Sequence, residues 1–335
     1  MRALVTGATG FIGWHVARAL REAGHSVRAL VRNPAWAARR LEPLGIEWVV
    51  GDLAQPERWA PALEGVDAVF HVAALYSLAQ RDAAAMLRVN VEGTRRLLAA
   101  ALAHGVRRVV YTSSTAAVGL RPGGEPADET DWADPDRAPG AYKRSKILAE
   151  QAALQAARSG LDVVVVNPSA PIGWGDIKPT PTGKIILDAV AGRMPYYVET
   201  GLNWVAVEDV AQGHLLAFER GRPGERYILG NANLSLREIL ERIQRILGRR
   251  GPLVQIPWGL AAAAGWADEF ILSPLFRRPP AIPWDGVRLA RRPMYFSAAK
   301  AVRELGLPQT PIDQALEAAV RWFREEWPRW RTEVR

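Results

Sequence analysis

The sequence predicts an α/β fold in which a doubly wound parallel sheet carries helices on both faces. Short apolar runs without polar alternation recur through the first half of the chain, which is typical of parallel strands buried on both sides. Longer stretches with helical periodicity separate these runs. A glycine-rich turn, TGATGFIG at residues 6–13, joins the first apolar run to the first helical stretch. Ligands of such folds bind at the carboxyl ends of the strands, so this turn marks a candidate binding site.

The predicted elements alternate regularly along the first half of the chain. Helices are expected at residues 11–23, 56–63, 84–104 and 138–159, and Pro56 suits the first turn of its helix. Strands are expected at residues 3–5, 27–31, 48–50, 68–72, 109–112 and 163–166. This alternation predicts a Rossmann sheet.

A smaller substrate-binding lobe, interleaved with the sheet in sequence, is predicted in the second half. Residues 168–183 are rich in proline and glycine and interrupt the alternation. Residues 203–219 have the pattern of a return to the sheet, with a strand at 204–207 and then a helix. We therefore assign residues 1–172 plus 203–222 to the nucleotide-binding domain, and residues 173–202 plus 223–335 to the lobe.

Two helices of this lobe have clear sequence signals. Ser235 and Glu238 have the spacing of a capping box, which predicts a helix that begins there and reaches about Leu247. The last helix is expected over residues 311–327, because apolar residues recur on one of its faces.

Residues 258–272 form a mostly apolar stretch that is too short to span a bilayer and is interrupted by Asp268 and Glu269. We therefore expect no transmembrane segment, and we favour a packed helix of the second lobe. Three aromatic residues in the stretch, and the pair Arg277 and Arg278 after it, leave two alternatives open. The stretch could line an apolar pocket for a substrate, or it could touch a membrane surface.

The composition is that of a soluble globular protein and excludes several kinds of site. Of the 335 residues, 49% are hydrophobic and 23% are charged. The absence of cysteine excludes disulfides and thiol nucleophiles, and the five histidines lack paired ligand spacing, so we expect no metal. The formal charge of +8 comes from scattered arginine pairs, so we expect no nucleic-acid partner. The first strand begins too early for a leader sequence, so a cytoplasmic protein is expected.

The glycine-rich turn has the features of a pyrophosphate-binding site. Gly7 and Gly10 allow backbone angles that other residues avoid, and they let a phosphate approach without a side chain in the way. Gly13 allows the following helix to lie close to the strand, and the unpaired amides at the start of that helix favour a negative charge. The residues expected to bind the cofactor here are Gly7, Thr9, Gly10, Phe11, Ile12 and Gly13.

Tyr142, Lys146 and Ser114 are the candidate catalytic residues. Tyr142 and Lys146 are four residues apart, so their side chains share one face of the predicted helix. We expect the ammonium of Lys146 to lower the pKa of Tyr142, so that this tyrosine can donate and accept a proton. We also expect Lys146 to bind the ribose hydroxyls of a nicotinamide nucleotide. Ser113 and Ser114 follow the predicted strand that ends at Thr112, where the hydroxyl of Ser114 could hold a substrate oxygen.

The residues after the second predicted strand favour NADP(H) over NAD(H). NAD-specific sites place an acidic residue there to bind the ribose 2′-hydroxyl. This chain instead has Arg32 followed by Asn33, and an arginine can pair with a 2′-phosphate. Arg28 lies four residues earlier, on the same face of the strand. Because arginines at strand ends are also common on an arginine-rich surface, NAD(H) stays open as the alternative.

The glycine turn, Ser114, Tyr142 and Lys146, in this order, resemble the extended short-chain dehydrogenase/reductase superfamily over nearly the whole chain. The resemblance implies an oxidoreductase in which these residues bind pyrophosphate, orient the substrate, transfer the proton and support the tyrosine. It also implies that the helices at 84–104 and 138–159 form a homodimer contact. Further cofactor-binding positions that it implies are Asp52, Leu53, Ala73, Ala74, Asn90, Thr112, Pro168 and Ser169.

Four segments are similar to the hopanoid-associated sugar epimerases, which in turn resemble the dihydroflavonol reductases. These segments lie at residues 167–173, 176–183, 201–205 and 224–230. After Ser114 the chain reads TAAVG, whereas nucleotide-sugar epimerases usually carry a threonine and a tyrosine there. This departure disfavours a nucleotide-sugar substrate.

Three functions stay open as alternatives. We favour NADP(H)-dependent hydride transfer at a carbonyl or secondary alcohol carbon of a small molecule, with net carbonyl reduction, because Arg32 suits a cofactor that enters and leaves. A sugar epimerase would oxidise and re-reduce one substrate with a retained NAD. A dinucleotide sensor without turnover would not need Tyr142 and Lys146.

Overall fold

The structure is a computed structural model that describes residues 1–77, 82–249, 251, 253–278, 280 and 284–331. Its centre is a seven-stranded parallel sheet with the strand order β10-β6-β5-β4-β1-β2-β3. These strands are β1 Arg2–Thr6, β2 Ser26–Val31, β3 Glu47–Val50, β4 Ala68–His71, β5 Arg108–Thr112, β6 Val163–Pro168 and β10 Arg226–Leu229. All six strands predicted in the first half lie in this sheet, so the α/β prediction is confirmed.

Helices cover both faces of the sheet, which explains why its central strands are apolar on both sides. Every residue of β6, for example, is buried. One face packs against α1 and α7 and the other against α4 and α5, and each face has its own apolar core. The helices of this layer are α1 Phe11–Glu22, α2 Pro34–Leu41, α3 Ala83–Met86, α4 Gly93–Ala103, α5 Ala141–Arg158 and α7 Val207–Arg220.

Three of the predicted helices differ in detail from the structure. The helix expected at 84–104 is α3 and α4 joined by a π-helical segment, Leu87–Glu92. The segment at 56–63 forms two short 3₁₀ turns, because Pro61 lacks the amide hydrogen that a continuous helix would need. The helix expected from residue 138 begins at Ala141, because Gly140 has a φ of 85° and cannot be part of it.

A second, smaller sheet lies beside the first. Its strand order is β11-β9-β7, formed by β7 Ala170–Ile172, β9 Gly201–Ala206 and β11 Ala232–Ser235. The prediction that residues 204–207 return to the main sheet is therefore wrong: β9 pairs with β7 and β11, and only the helix that follows it, α7, packs on the main sheet. The main sheet instead gains β10, which pairs with β6. The assignment of residue ranges to two domains stays a prediction.

The remaining elements surround the small sheet and the carboxyl edge of the large one. The capping box is confirmed, since the Ser235 amide donates to Glu238 Oε2 at 2.7 Å and the Glu238 amide to Ser235 Oγ at 3.2 Å. The elements are α6 Pro181–Val190, β8 Tyr196–Tyr197, α8 Leu236–Ile246, β12 Val254–Gln255, α9 Trp258–Ala267, α10 Ser273–Leu275, α11 Trp284–Leu289, α12 Ala299–Leu305, α13 Ile312–Arg321 and α14 Trp327–Arg331. A π-helical segment, Trp322–Glu326, joins α13 to α14 and extends the predicted last helix.

The apolar stretch at 258–272 does not form the packed helix that we favoured. It forms α9 and a π-helical segment, Asp268–Leu272, but Gly265 is the only buried residue of α9. Its large apolar side chains point mostly to solvent, because no other described element covers this side of the lobe. In the part of the chain that the structure describes, no helix has both the length and the hydropathy needed to cross a membrane.

Candidate active site

The glycine turn packs so tightly that side chains would not fit at two of its positions. Gly7 has a φ of +73°, and a Cβ there would lie 2.8 Å from the Ala73 amide nitrogen. A Cβ on Gly13 would lie 2.2 Å from the Gly7 carbonyl oxygen. Among the described residues no side chain caps the start of α1, so the first amides of the helix, at Phe11 and Ile12, have no protein acceptor. This cradle of bare backbone fits the phosphates of a dinucleotide.

A buried network fixes Ala73 beside the turn. The Ala73 amide donates to Thr6 Oγ1 at 3.0 Å, and that hydroxyl lies 2.8 Å from His71 Nδ1. His71 Nε2 lies 2.9 Å from Thr94 Oγ1, which donates to the Asn90 carbonyl oxygen. Burial, and secondarily the charge of Lys146, lowers the pKa of His71 to about 3, so its ring is neutral. Sequence reasoning missed this network, although His71 and Thr6 end two neighbouring strands.

The structure brings the three predicted catalytic residues together at the carboxyl end of β5. Ser114 follows this strand, and its side chain is close enough to the Tyr142 hydroxyl on α5 to favour the ionised form of that hydroxyl. Lys146, one turn further along α5 and only 3% exposed, donates from Nζ to the Thr112 carbonyl oxygen at 2.9 Å. Ser114 Oγ also accepts from the Ala116 amide at 3.1 Å, which holds the serine in place.

The electrostatics of the site differ from the sequence-based expectation. Burial raises the pKa of Tyr142, and the hydrogen bond with Ser114 opposes this shift only in part. Burial also lowers the pKa of Lys146 to about 8, against the nearby carboxylate of Glu150. Lys146 therefore does not lower the pKa of Tyr142 below its ordinary value here, because desolvation outweighs the neighbouring charge. At neutral pH the tyrosine keeps its proton and is able to donate it.

A second tyrosine stands against Tyr142 and was not predicted. The Tyr76 and Tyr142 ring centroids are 4.5 Å apart, in an edge-on arrangement. Asn90 holds this segment, because its Oδ1 accepts from the Leu75 amide at 2.7 Å and its Nδ2 donates to the Leu75 carbonyl oxygen at 2.9 Å. Asn90 Nδ2 also donates to Ser145 Oγ. Asn90, predicted to bind the cofactor, thus uses its amide to position the active-site segment.

Of the residues predicted to lie near the nucleotide ribose, some have hydrogen-bond partners within the described part of the protein and one has none there. Arg32 is exposed directly after β2 and forms no hydrogen bond or ion pair with the described residues. Asn33 instead caps α2, since its Oδ1 accepts from the Trp36 amide at 3.0 Å. Arg28, which we placed on the same strand face as Arg32, donates to the Ala62 carbonyl oxygen at 2.8 Å. Arg32 is therefore the cation at this end of β2 that is available to a ligand.

The remaining predicted cofactor residues lie along the same edge. Asp52 Oδ1 accepts from the Ala54 amide at 2.8 Å, and Leu53 is buried. Ala74 is exposed beside the turn. The Thr112 hydroxyl lies 2.8 Å from His214 Nε2, which fixes the threonine side chain. The Thr112 carbonyl oxygen accepts the hydrogen bond from Lys146.

The end of β6 supplies a polar atom without a protein partner. Pro168 is the last residue of this strand, and the Ser169 amide donates to the Leu229 carbonyl oxygen at 3.1 Å. The Ser169 hydroxyl is buried and has no hydrogen-bond partner among the described residues. Because an unsatisfied buried hydroxyl is costly, this group fits a site that a bound ligand completes.

A buried ion pair lies close to the candidate catalytic residues. Arg226 Nε lies 3.0 Å from Glu150 Oε1, and both side chains are almost fully buried. Asn167 Nδ2 donates to Glu150 Oε2 at 2.6 Å and to the Ser114 carbonyl oxygen at 3.0 Å. The pair therefore ties α5, β6 and β10 to the segment that carries Ser114.

Comparisons with known proteins agree with this geometry. The sequence model of the NAD dependent epimerase/dehydratase family matches residues 3–230. A protein of Synechocystis, provisionally named dihydroflavonol 4-reductase, is 50% identical over 324 residues, which cover 96% of this chain and 94% of that protein. Sterol demethylase protein B of Methylococcus capsulatus is 37% identical over 327 residues, which cover 97% of this chain and 99% of that protein.

A solved structure is similar over the same length. The crystal structure of gox2253 superposes with a TM-score of 0.85 at 46% identity, covering 96% of this chain and 98% of its own. The matching family and relatives comprise reductases, epimerases and dehydratases that use NAD(P), so this protein is an NAD(P)-dependent enzyme of the oxidoreductase or epimerase type. The chain belongs to the NAD-dependent epimerase/dehydratase family.

Proposed function

We propose that the protein is an NADP(H)-dependent carbonyl reductase in which Tyr142 is the proton donor. The observation that carries this proposal is the pairing of Tyr142 with Ser114 beside Lys146, in an environment that keeps the tyrosine protonated. A group that must give a proton to a carbonyl oxygen needs that proton at working pH. Tyr142 holds its proton at neutral pH and can therefore serve as the donor in carbonyl reduction.

Each residue of the site has a separate role in this reaction. Ser114 holds the substrate oxygen by a hydrogen bond, and Tyr142 donates its hydroxyl proton to that oxygen. The ammonium of Lys146 stabilises the tyrosinate that remains. The glycine turn binds the phosphates of the nucleotide through its bare amides. A bound nicotinamide nucleotide supplies the hydride.

The preference for NADP(H) rests on Arg32. Its exposed guanidinium has no partner among the described residues and lies where an NAD-specific site carries an acid. A charge-assisted bond to a 2′-phosphate contributes about 1.5–3 kcal/mol, so Arg32→Ala is expected to weaken NADPH binding about 10- to 100-fold. Binding of NADH should change little in this variant. Arg245→Ala, at an exposed arginine on α8, serves as the matched control for both nucleotides.

An apolar carbonyl compound is the substrate class that we favour. The residues after Ser114 are small, with Ala116 and Ala117 in place of larger polar groups. Two relatives carry names that refer to a flavonoid and a sterol, both of them ring systems with large apolar surfaces. Aromatic and terpenoid ketones are therefore the first compounds to test.

Turnover with NADPH and a panel of apolar ketones and aldehydes tests the proposal. The wild-type protein should consume NADPH, and Tyr142→Phe should lose about 10²–10⁴ of the rate, which is the usual contribution of a positioned proton donor. Tyr196→Phe removes an exposed hydroxyl on β8 and should retain the rate. Silence of the wild-type protein across the whole panel would refute carbonyl reduction.

The family also supports a second candidate, a sugar epimerase with a retained NAD. Such an enzyme would carry tightly bound NAD through purification and interconvert sugars without consuming it. Mass spectrometry of the nucleotide released from the purified protein distinguishes the two functions. A dinucleotide sensor is the third alternative, and it would retain its biological activity in the Tyr142→Phe variant.

We also propose a homodimer formed through α4 and α5. The outer faces of these two helices border a groove with an apolar lining. Its lining includes Leu98, Leu102, Trp132, Leu148, Ala152 and Leu161. A second copy of the same surface would bury these side chains in a symmetric contact.

A further inference from the structure

The segment from α9 to α10 carries an exposed apolar face that the proposed reaction does not use. We call it the apolar face, and it is the most concentrated apolar surface in the described part of the chain. Leu275 is 69% exposed and Phe276 66% exposed. Soluble proteins seldom leave so many large apolar side chains together in water. The face consists of Leu260, Trp266, Phe270, Ile271, Leu272, Leu275 and Phe276.

These side chains form one continuous surface. All seven belong to α9, the π-helical segment, α10 or the residue after it, and the Trp266 and Phe270 ring centroids lie 6.0 Å apart. The opposite side of the same segment, with Gly265, turns inward. The inward residues of this segment, Gly265, Asp268 and Ser273, are small or polar, whereas its large apolar side chains are exposed.

The charges around this face are arranged asymmetrically. Residues 258–292 contain three carboxylates, and all three are bound within the protein. Asp268 pairs with Arg278, Asp285 pairs with Arg288 at 3.5 Å, and the Glu269 carboxylate accepts from the Trp284 amide at 2.6 Å. Arg278 and Arg288 are engaged in these pairs, and three further exposed arginines, Arg277, Arg291 and Arg292, lie in the same stretch of residues.

We propose that the apolar face docks the protein onto an anionic membrane surface. Aromatic and aliphatic side chains would enter the interface between headgroups and acyl chains, and the bordering arginines would meet lipid phosphates. Arg291, whose guanidinium lies 5.3 Å from the Trp258 ring centroid, stands where the apolar and basic parts meet. A second copy of this chain fits the face less well, because a symmetric contact would bring the two sets of arginines together.

A short series of contacts connects the segment that carries the face to the start of α5, which carries Tyr142. Trp258 Nε1 donates to the Val287 carbonyl oxygen at 3.0 Å, which joins α9 to α11. On α11, the carboxylate of Asp285 packs against Gly140, two residues before Tyr142. Docking through the face would therefore hold the Tyr142 end of α5 close to the membrane. This consequence concerns the delivery of an apolar substrate and rests on the proposed function, whereas the docking itself does not.

Co-sedimentation with lipid vesicles tests the proposal. The full-length protein should bind vesicles of phosphatidylcholine with about 30% phosphatidylglycerol, bind pure phosphatidylcholine at least about fivefold more weakly, and dissociate as salt is raised. The double variant Leu275→Glu with Phe276→Glu should lose at least about tenfold in vesicle affinity, because it places charges at the two most exposed positions of the face. Val50→Glu with Val302→Glu adds the same charge at exposed apolar positions outside the face and should bind like the wild type.

Several outcomes would overturn the proposal. Absence of vesicle binding would do so, as would equal binding to neutral and anionic vesicles or equal losses in the two double variants. Without vesicles, sedimentation velocity shows whether the face joins copies of the chain. If vesicle binding is absent while Leu275→Glu with Phe276→Glu, but not Val50→Glu with Val302→Glu, dissociates a larger assembly, the apolar face binds a second copy of the chain. Since vesicle binding and sedimentation velocity need no turnover, failure of carbonyl reduction would leave this test unaffected.

Discussion

Two lysines on α5 show how the position of a residue decides the consequence of burial. Burial lowers the pKa of both Lys143 and Lys146 to about 8. Lys146 Nζ donates to the Thr112 carbonyl oxygen beside the candidate catalytic residues, whereas Lys143 Nζ approaches the Met294 sulfur at 3.7 Å. The two side chains have similar ionisation but face different surroundings. Of the two, only Lys146 lies beside the candidate catalytic residues.

The lowered pKa of Lys146 predicts an alkaline limit to carbonyl reduction. Below pH 8 the ammonium is present, and above it the amine is increasingly neutral, while Tyr142 keeps its proton because its own pKa is raised. We expect kcat/KM for the ketone to fall as the pH rises through about 8. The measurement is a pH profile of the wild type and of Lys143→Met. In both proteins kcat/KM should fall through about pH 8. A wild-type profile that stays flat up to the ordinary lysine pKa of about 10.4 contradicts the assignment. A fall that is lost in Lys143→Met contradicts it as well.

At the scale of elements, most of the sheet was predictable because its strands are buried on both faces and therefore read as apolar runs. β10 was missed for a physical reason. It contains Arg226, a charge that argues against a buried strand until its partner is known. That partner, Glu150, lies on α5, far away in sequence, and no local pattern connects the two. The main sheet thus contains a strand that depends on a long-range ion pair.

The buried pair of Glu150 and Arg226 should contribute strongly to stability when only one partner is removed. Glu150→Gln leaves a buried guanidinium without its counter-charge, so we expect a loss of about 3–5 kcal/mol in the free energy of unfolding. Replacing both residues, as in Glu150→Leu with Arg226→Met, should recover most of that loss. Urea unfolding measures both changes.

An exposed ion pair on α8 supplies the control for this prediction. Arg237 Nε lies 2.7 Å from Glu241 Oε1 in solvent, and Glu241→Gln should cost no more than about 0.5 kcal/mol. Similar losses for Glu150→Gln and Glu241→Gln would show that the buried pair has no special role. A double variant less stable than Glu150→Gln would show that the apolar replacement does not fit.

At the scale of the whole molecule, the sheet topology predicted where the candidate site lies, but it did not predict which apolar surfaces are exposed. Parallel strands bring their carboxyl ends to one edge, so the glycine turn and Ser114 could be placed together before the structure was known. The exposure of α9 could not be predicted in this way. An apolar segment has the same sequence pattern whether it is buried or exposed. Only the tertiary arrangement shows that none of the described elements covers this segment.

The groove between α4 and α5 leads to the last prediction, that the protein is a dimer in solution. Leu102, at the end of α4, is 52% exposed and lies in the apolar lining of the groove. A two-fold contact would bury it, so Leu102→Glu would place a charge in the interface and should weaken dimerisation at least about tenfold, equivalent to 1.4 kcal/mol. Val50, on edge strand β3 and 51% exposed, makes Val50→Glu the matched control. Light scattering over a concentration series measures the wild type and both variants. Loss of the dimer in Leu102→Glu alone would assign the contact to these two helices. A monomeric wild type would refute the dimer, and equal dissociation constants for wild type and Leu102→Glu would place the contact elsewhere.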